Sequence, residues 1–141
     1  MCEFVVPCSD VGKKKILVAD DNSKVRKLLM LLLERSGYDT VEAATVHETL
    51  EQARATTPNL IIMDLAMPDG SGDEAILSLK TDPLTRDITI IVLTAILRGA
   101  SVDRALAAGA AEILHKPVNL QRLELVLERH LSKQSQTPRL S

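Results

Sequence analysis

The sequence predicts an α/β fold: a doubly wound, five-stranded parallel sheet with helices on both faces. Three observations carry that expectation. Five apolar runs of strand length alternate with five segments of helical period, the pattern of a parallel sheet joined by crossover helices. The third run, Asn59 to Met63, is apolar at nearly every position, as a central parallel strand covered on both faces should be. Four of the runs end in polar side chains, namely Asp20-Asp21, Asp64, Thr94 and Lys116. In an open parallel sheet the C-terminal strand ends share one rim, and ligands bind there.

The elements follow in order. The first strand covers about 15–19, and Asn22 or Ser23 can cap the helix after it. That helix runs to Ser36, and Gly37 supplies a left-handed stop. Val25, Leu28, Leu29, Leu32, Leu33 and Ser36 fall on one face at helical period, with Met30 and Leu31 off it. A second strand over 39–43 leads to a helix over 46–56, closed by Pro58. The third strand covers 59–63, and Gly70-Ser71-Gly72 turns the chain into a helix over 73–80. Asp82-Pro83 breaks that helix. A fourth strand over 88–93 precedes a helix over 99–108, which Gly109 ends. A fifth strand over 111–115 precedes a last helix over 119–131. Residues 1–12 read as a loose leader, 13–131 as one domain, and the Ser/Gln/Thr-rich 132–141 as a flexible tail. For five such units the economical doubly wound order is the flavodoxin-like 2-1-3-4-5, which makes strands one and three neighbours. Asp20, Asp21 and Asp64 then stand side by side.

Composition removes several function classes. The 141 residues suffice for one core. Aromatic residues are 1% of the chain, so a module that stacks nucleic-acid bases on rings is disfavoured. A net charge of −2 gives no electrostatic footprint for DNA or an anionic membrane, and Lys13-Lys14-Lys15 is the sole basic run. No apolar run approaches the roughly 20 residues of a membrane helix. Cys2 and Cys8 are not spaced as a redox or zinc motif. The segment before Pro7 lacks the basic start of a signal peptide. A reducing cytoplasm is the expected location, with neither membrane nor direct nucleic-acid contact.

The rim residues suggest a chemistry. Like-charged carboxylates a few ångströms apart disfavour one another's ionisation unless a cation joins them. Hard oxygen donors near a phosphate suit Mg²⁺. Asp21 and Asp64 are candidate direct ligands, with Asp20 acting directly or through water and a backbone carbonyl just after Asp64 completing the set. Asp64 is also the nucleophile candidate, since aspartate carboxylates form acyl phosphates. The Thr94 hydroxyl and Lys116 ammonium can donate to incoming phosphoryl oxygens, and Pro117 restricts the backbone that aims Lys116. Each group also has a plain reading. An Asp-Asp pair commonly caps a helix, and a lone strand-end Asp, Thr or Lys-Pro is unremarked. Their joint occurrence in this order is the specific feature. No Gly-rich phosphate loop or dinucleotide fingerprint is present. His47 and His130 read as surface residues, and His115 points to the strand side opposite Lys116.

These residues resemble the receiver domain of two-component response regulators. The resemblance covers roughly residues 14–131 and rests on Asp20-Asp21 after Ile-Leu-Val-Ala, on Asp64-Leu-Ala-Met-Pro-Asp-Gly-Ser-Gly72, on Thr94-Ala95, and on Gly109-Ala110 leading to Lys116-Pro117. It implies that Asp64 accepts a phosphoryl group from a histidine of a sensor kinase or phosphotransfer protein. It implies that Asp20 and Asp21 bind Mg²⁺ with the Ala66 carbonyl, that Thr94 reorients, and that Lys116 pairs with the phosphoryl group. It further implies a switch at the face of helix four, strand five and helix five. The chain departs from the family at Ile113, where an aromatic residue usually stands three before the lysine. Ala66 and Ile96, at positions that influence phosphoryl lifetime in the family, carry no polar group to orient water.

The expected function is therefore a phosphorylatable signalling receiver, not an enzyme acting on an outside substrate. The residues after the last helix are too few for an output domain, so the chain reads as a stand-alone regulator or a piece of a longer protein. The downstream target is unspecified and a homodimer is left open. Two alternatives stand beside it. One is a receiver-fold interaction module that switches little on phosphorylation. The other is a phosphatase of the haloacid dehalogenase type, against which Ala66 and the chain length argue.

Overall fold

The computed structural model describes residues 14–95, 99–117 and 119–140, with side chains described as far as Leu131. The leader read over residues 1–12, and Ile96, lie outside the described residues. Five parallel strands form the main sheet: β1 (Lys15–Ala19), β2 (Asp39–Ala43), β3 (Leu60–Met63), β6 (Thr89–Thr94) and β7 (Glu112–His115). Their order is β2-β1-β3-β6-β7, which is the expected 2-1-3-4-5. A short antiparallel hairpin of β4 (Ala66–Met67) and β5 (Gly70–Ser71) follows β3. The expected turn at Gly70-Ser71-Gly72 thus holds the second arm of a hairpin.

Five helices cover the sheet: α1 (Ser23–Arg35), α2 (Val46–Thr56), α3 (Gly72–Thr81), α4 (Ala100–Ala108) and α5 (Leu120–Leu140). Strand alternation assigns them to faces. Ile16, Val18, Leu60, Ile62, Ile91, Leu93 and Leu114 pack with Leu29 and Leu33 of α1 and with Leu123, Val126 and Leu127 of α5. Leu17, Ala19, Ile61, Met63, Ile90 and Val92 pack with Ala53 of α2, Ile76 and Leu79 of α3, and Ala105 of α4. Each fully buried Leu or Ile of this kind contributes about 1.5–3 kcal/mol relative to exposure. With almost no aromatic residues, the two cores are aliphatic apart from Tyr38, partly buried against the one beneath α1 and α5.

Local chemistry explains the helix ends. The Asn22 side chain accepts from the amides of Lys24 and Val25 and caps α1. Gly37 follows the helix with φ +97, open only to glycine at low cost. Thr45 caps α2 by accepting from Glu48 N–H, and Glu48 reaches back to Ala44 N–H at 2.7 Å. α3 stops at Thr81, where Asp82 turns extended ahead of Pro83.

Two expectations are corrected. On α1, Leu28 is exposed while Met30 is half-buried against the core. The buried stripe runs through Val25, Leu29 and Leu33 and tilts towards Met30 and Arg26, because α1 lies over β1 and turns that flank to β2. The last helix continues beyond the expected end at 131 to Leu140; no glycine or proline interrupts it from Ser132 to Thr137, and Pro138 falls in its last turn.

Candidate functional site

The parallel ladder carries the acidic residues to one rim. Asp20 N–H donates to the Ala43 carbonyl at 3.1 Å and Asp64 N–H donates to the Ala19 carbonyl at 3.0 Å. Both residues are thus held by the sheet one step beyond its last strand residues. Carboxylate oxygens of Asp20, Asp21 and Asp64 all lie within 4.8 Å of one another. Asp20 and Asp64 are buried and Asp21 is exposed, so the cluster opens to solvent on the Asp21 side.

Lys116 closes the other side. Its Nζ lies 2.8 Å from Asp20 Oδ2 and 2.9 Å from Asp64 Oδ2. Burial pushes the ammonium down, but hydrogen bonds and charge from Asp20 and Asp64 outweigh it and leave its pKa raised. The ammonium therefore stays charged between two carboxylates. Lys116 N–H donates to the Thr94 carbonyl at 2.8 Å, tying the two strand ends together. The Lys116–Pro117 peptide bond is cis. Thr94 is buried at the end of β6. Met63 pairs with Val92 in register, so Thr94 stands at the next strand end beyond Asp64.

The remaining carboxylate bonds are local. Asp20 Oδ1 accepts from Asn22 N–H at 2.9 Å, and Asp64 Oδ1 accepts from Ala66 N–H at 3.3 Å. Ala66 opens the hairpin, which returns through Gly72 N–H to the Leu65 carbonyl at 2.8 Å. An all-oxygen set of three carboxylates, open on one side, fits a hard divalent cation such as Mg²⁺. Beside Lys116, a mainly apolar groove of about 250 Å³ is lined by Val25, Leu28, Leu29, Leu93, Lys116 and Pro117.

Of the residues singled out in the sequence, the structure brings Asp20, Asp21, Asp64 and Lys116 together and sets Thr94 and Ala66 at adjoining positions. His115 is exposed and has no bond to the cluster among the described contacts. Ile113 lies half-buried against the core shared with α4.

Three polar residues around the rim escaped the sequence reading. Arg26 donates from Nη1 to the Asp20 carbonyl and from Nε to Glu42 Oε1, both at 2.7 Å. Asp69, at the hairpin turn, accepts from Val46 N–H at 2.7 Å and His47 N–H at 3.0 Å. Those two backbone bonds hold its carboxyl below the usual range. Asp73, in the first turn of α3, pairs with Arg104 of α4 at 2.9 Å. Arg26 had one sequence clue, its spacing of three and four from Leu29 and Met30. Asp69 and Asp73 had none, because their partners are distant in the chain.

The model of the response regulator receiver domain matches residues 16–128. The phosphate regulon transcriptional regulatory protein PhoB of Escherichia coli is 36% identical over 112 residues, 78% of this chain and 48% of PhoB. The chain thus spans about half the length of that relative. The polar-differentiation response regulator DivK of Brucella ovis is 32% identical over 118 residues, 84% of this chain and 96% of DivK. A CheY-like response regulator receiver domain protein from Methanospirillum hungatei superimposes with a TM-score of 0.84 at 28% identity. That match covers 89% of this chain and 99% of the other.

Proposed function

Because the chain belongs to the response regulator receiver domain family, we propose that it takes a phosphoryl group on Asp64 from a phosphohistidine, with Mg²⁺, and switches a protein-binding surface. The observation that carries this reading is the convergence of three carboxylates within 4.8 Å, with Lys116 bridging Asp20 and Asp64. The donor is a sensor histidine kinase or a histidine phosphotransfer protein, met in the cytoplasm.

The step balances simply. An Asp64 carboxylate oxygen attacks phosphorus; a P–O bond forms and the P–N bond to the donor imidazole breaks. The electron pair leaves on that nitrogen, which takes up a proton. Bound Mg²⁺ supplies neutralisation of phosphoryl charge and in-line orientation. Asp20, Asp21 and Asp64 would hold it, with the Ala66 carbonyl as a further ligand. Lys116 would hand its charge from the carboxylates to the phosphoryl oxygens, and the Thr94 hydroxyl would donate to another of them. The Ala66 side chain offers no polar group to orient a hydrolytic water, so autodephosphorylation is slow. The groove beside Lys116 is the apolar surface that a partner reaching Asp64 would meet.

Incubation with acetyl phosphate and Mg²⁺ tests the reading by intact mass. One added phosphoryl group is expected, and Asp64→Asn should abolish it. A wild-type protein that takes none would sink the proposal. One observation favours a second reading. Ile113 is aliphatic and packed towards α4, so an aromatic rotamer switch has no counterpart here. An interaction module with little phosphorylation-dependent switching would bind its partner equally well with and without beryllofluoride.

A further inference from the structure

We propose that Arg26 is a positioning residue for the acidic rim. It clamps the peptide unit joining Asp20 to Asp21, so that both carboxylates present to a divalent cation, and Glu42 of β2 holds Arg26 in place. The proposal rests on the metal-dependent reading above.

The geometry begins with the backbone. β1 ends at Ala19, and the sheet bond from Asp20 N–H to Ala43 is its last on that side. The next peptide unit, between Asp20 and Asp21, lies past the ladder. It is planar, so the direction of its carbonyl also sets the start of Asp21. Arg26 Nη1 donates to that carbonyl oxygen at 2.7 Å. The guanidinium is positioned from two sides. Arg26 N–H bonds the Asn22 carbonyl at 3.0 Å in the first turn of α1, and Nε donates to Glu42 at 2.7 Å. Its side chain is 14% exposed against 52% for Glu42, which is unusual burial for a helix arginine. A planar fork can serve two acceptors in fixed directions, and an ammonium on a flexible stem cannot.

Two effects of Arg26 on the rim oppose each other. As a clamp it preorganises Asp20 and Asp21 and strengthens cation binding. As a positive charge near three carboxylates it competes with a cation and weakens it. The short, doubly supported bond to the Asp20 carbonyl argues that the clamp dominates.

The experiment is a Mg²⁺ titration of the full chain by calorimetry, with backbone-amide spectra followed in parallel. Wild type, Arg26→Lys, Arg26→Ala and Glu42→Gln are compared, each checked for a cooperative thermal transition. Outer partners of this kind typically change metal affinity by tenfold or more, so Arg26→Lys should weaken Mg²⁺ by about tenfold. Glu42→Gln should weaken it less. The Asp21 amide should shift in both. At saturating Mg²⁺, acetyl phosphate labelling of Arg26→Lys should recover most of the wild-type rate. Unchanged Mg²⁺ affinity in Arg26→Lys, or tighter binding in Arg26→Ala, would overturn the clamp in favour of charge alone. Should Arg26→Ala fail to fold, the lysine and Glu42→Gln variants decide. A wild type that binds no Mg²⁺ would refute the metal-dependent reading and this proposal with it. A wild type that binds, with variants that bind equally, refutes only the role of Arg26.

Discussion

Gly72 packs its bare Cα face against the backbone of Asp64. A Cβ built there would stand 2.8 Å from the Asp64 carbonyl oxygen and 2.8 Å from Leu65 Cα. Neither atom belongs to a flexible side chain, so the backbone itself would have to shift. The Gly72 N–H to Leu65 carbonyl bond at 2.8 Å fixes the approach. Gly72→Ala should therefore destabilise the fold by about 1–3 kcal/mol, the usual cost of overpacking. It should also slow acetyl phosphate labelling by displacing the strand end that carries Asp64. Urea unfolding and the labelling rate measure the two effects.

Lys116 serves as an internal cation for the cluster, and its removal should separate stability from metal binding. With Lys116→Met, three carboxylates within 4.8 Å lose the ammonium between two of them. Without Mg²⁺ the variant should be less stable by about 3 kcal/mol, because the nearly buried carboxylates of Asp20 and Asp64 lose their partner. With Mg²⁺ the affinity should rise, since no ammonium competes for Asp20 and Asp64. The pH dependence has a definite sign. The folded-state pKa is raised above the ordinary 10.5, so the stabilisation is complete below that value and lost as pH rises through the folded-state pKa. The gap between wild type and variant should close in strongly alkaline buffer. A gap that widens there would contradict the ion pairing.

The sheet order and the acidic rim were legible because both depend on short-range pattern. Apolar runs set strands, periodicity set helices, and the position of Asp20, Asp64, Thr94 and Lys116 at strand ends followed from topology alone. Caps such as Asn22 and stops such as Gly37 were legible for the same reason. What escaped depends on rotation and long-range pairing. A helix wheel gives a face without saying which flank meets the sheet, so Leu28 was expected inside and Met30 outside. Arg26 shares a flank with Leu29 and Met30 on the wheel, but no local pattern shows that β2 brings Glu42 beside it. Asp69 and Asp73 find partners 23 and 31 residues away, a separation that no local pattern encodes. The roles of the rim residues in phosphoryl transfer go beyond geometry and rest on the experiments proposed.

The tilt of α1 makes a paired test. Leu29 is 1% exposed and Leu28 is 48% exposed, although they are neighbours of the same chemistry. Leu29→Ala removes a core side chain and leaves a cavity, at a cost of about 2–5 kcal/mol. Leu28→Ala should stay within about 0.5–1 kcal/mol, as surface substitutions do. Equal costs in urea unfolding would mean that the stripe lies where the wheel put it.

Asp73 links the start of α3, next to the hairpin below the rim, to Arg104 on α4. Its Oδ2 accepts from Arg104 Nε at 2.9 Å, while Oδ1 is buried with no partner among the described residues. The nearby Ser71 hydroxyl holds the carboxyl below the usual range, burial opposes it, and the Arg104 bond and charge add to the lowering. A depressed folded-state pKa contributes stability above the unfolded value and loses it as pH falls through the folded one. Asp73→Asn keeps the shape and removes the charge. Wild type should then be more stable at neutral pH by about 1 kcal/mol, since Arg104 is largely solvated. That advantage should shrink as pH falls below the ordinary carboxylate value of 3.8 and the carboxyl protonates. Arg104→Ala should reduce the same pH dependence without abolishing it, because the Ser71 hydroxyl remains beside the carboxyl. Urea midpoints measured across that range decide it. A gap independent of pH would show that packing of α3 on α4, and not the charge of Asp73, holds the two helices together.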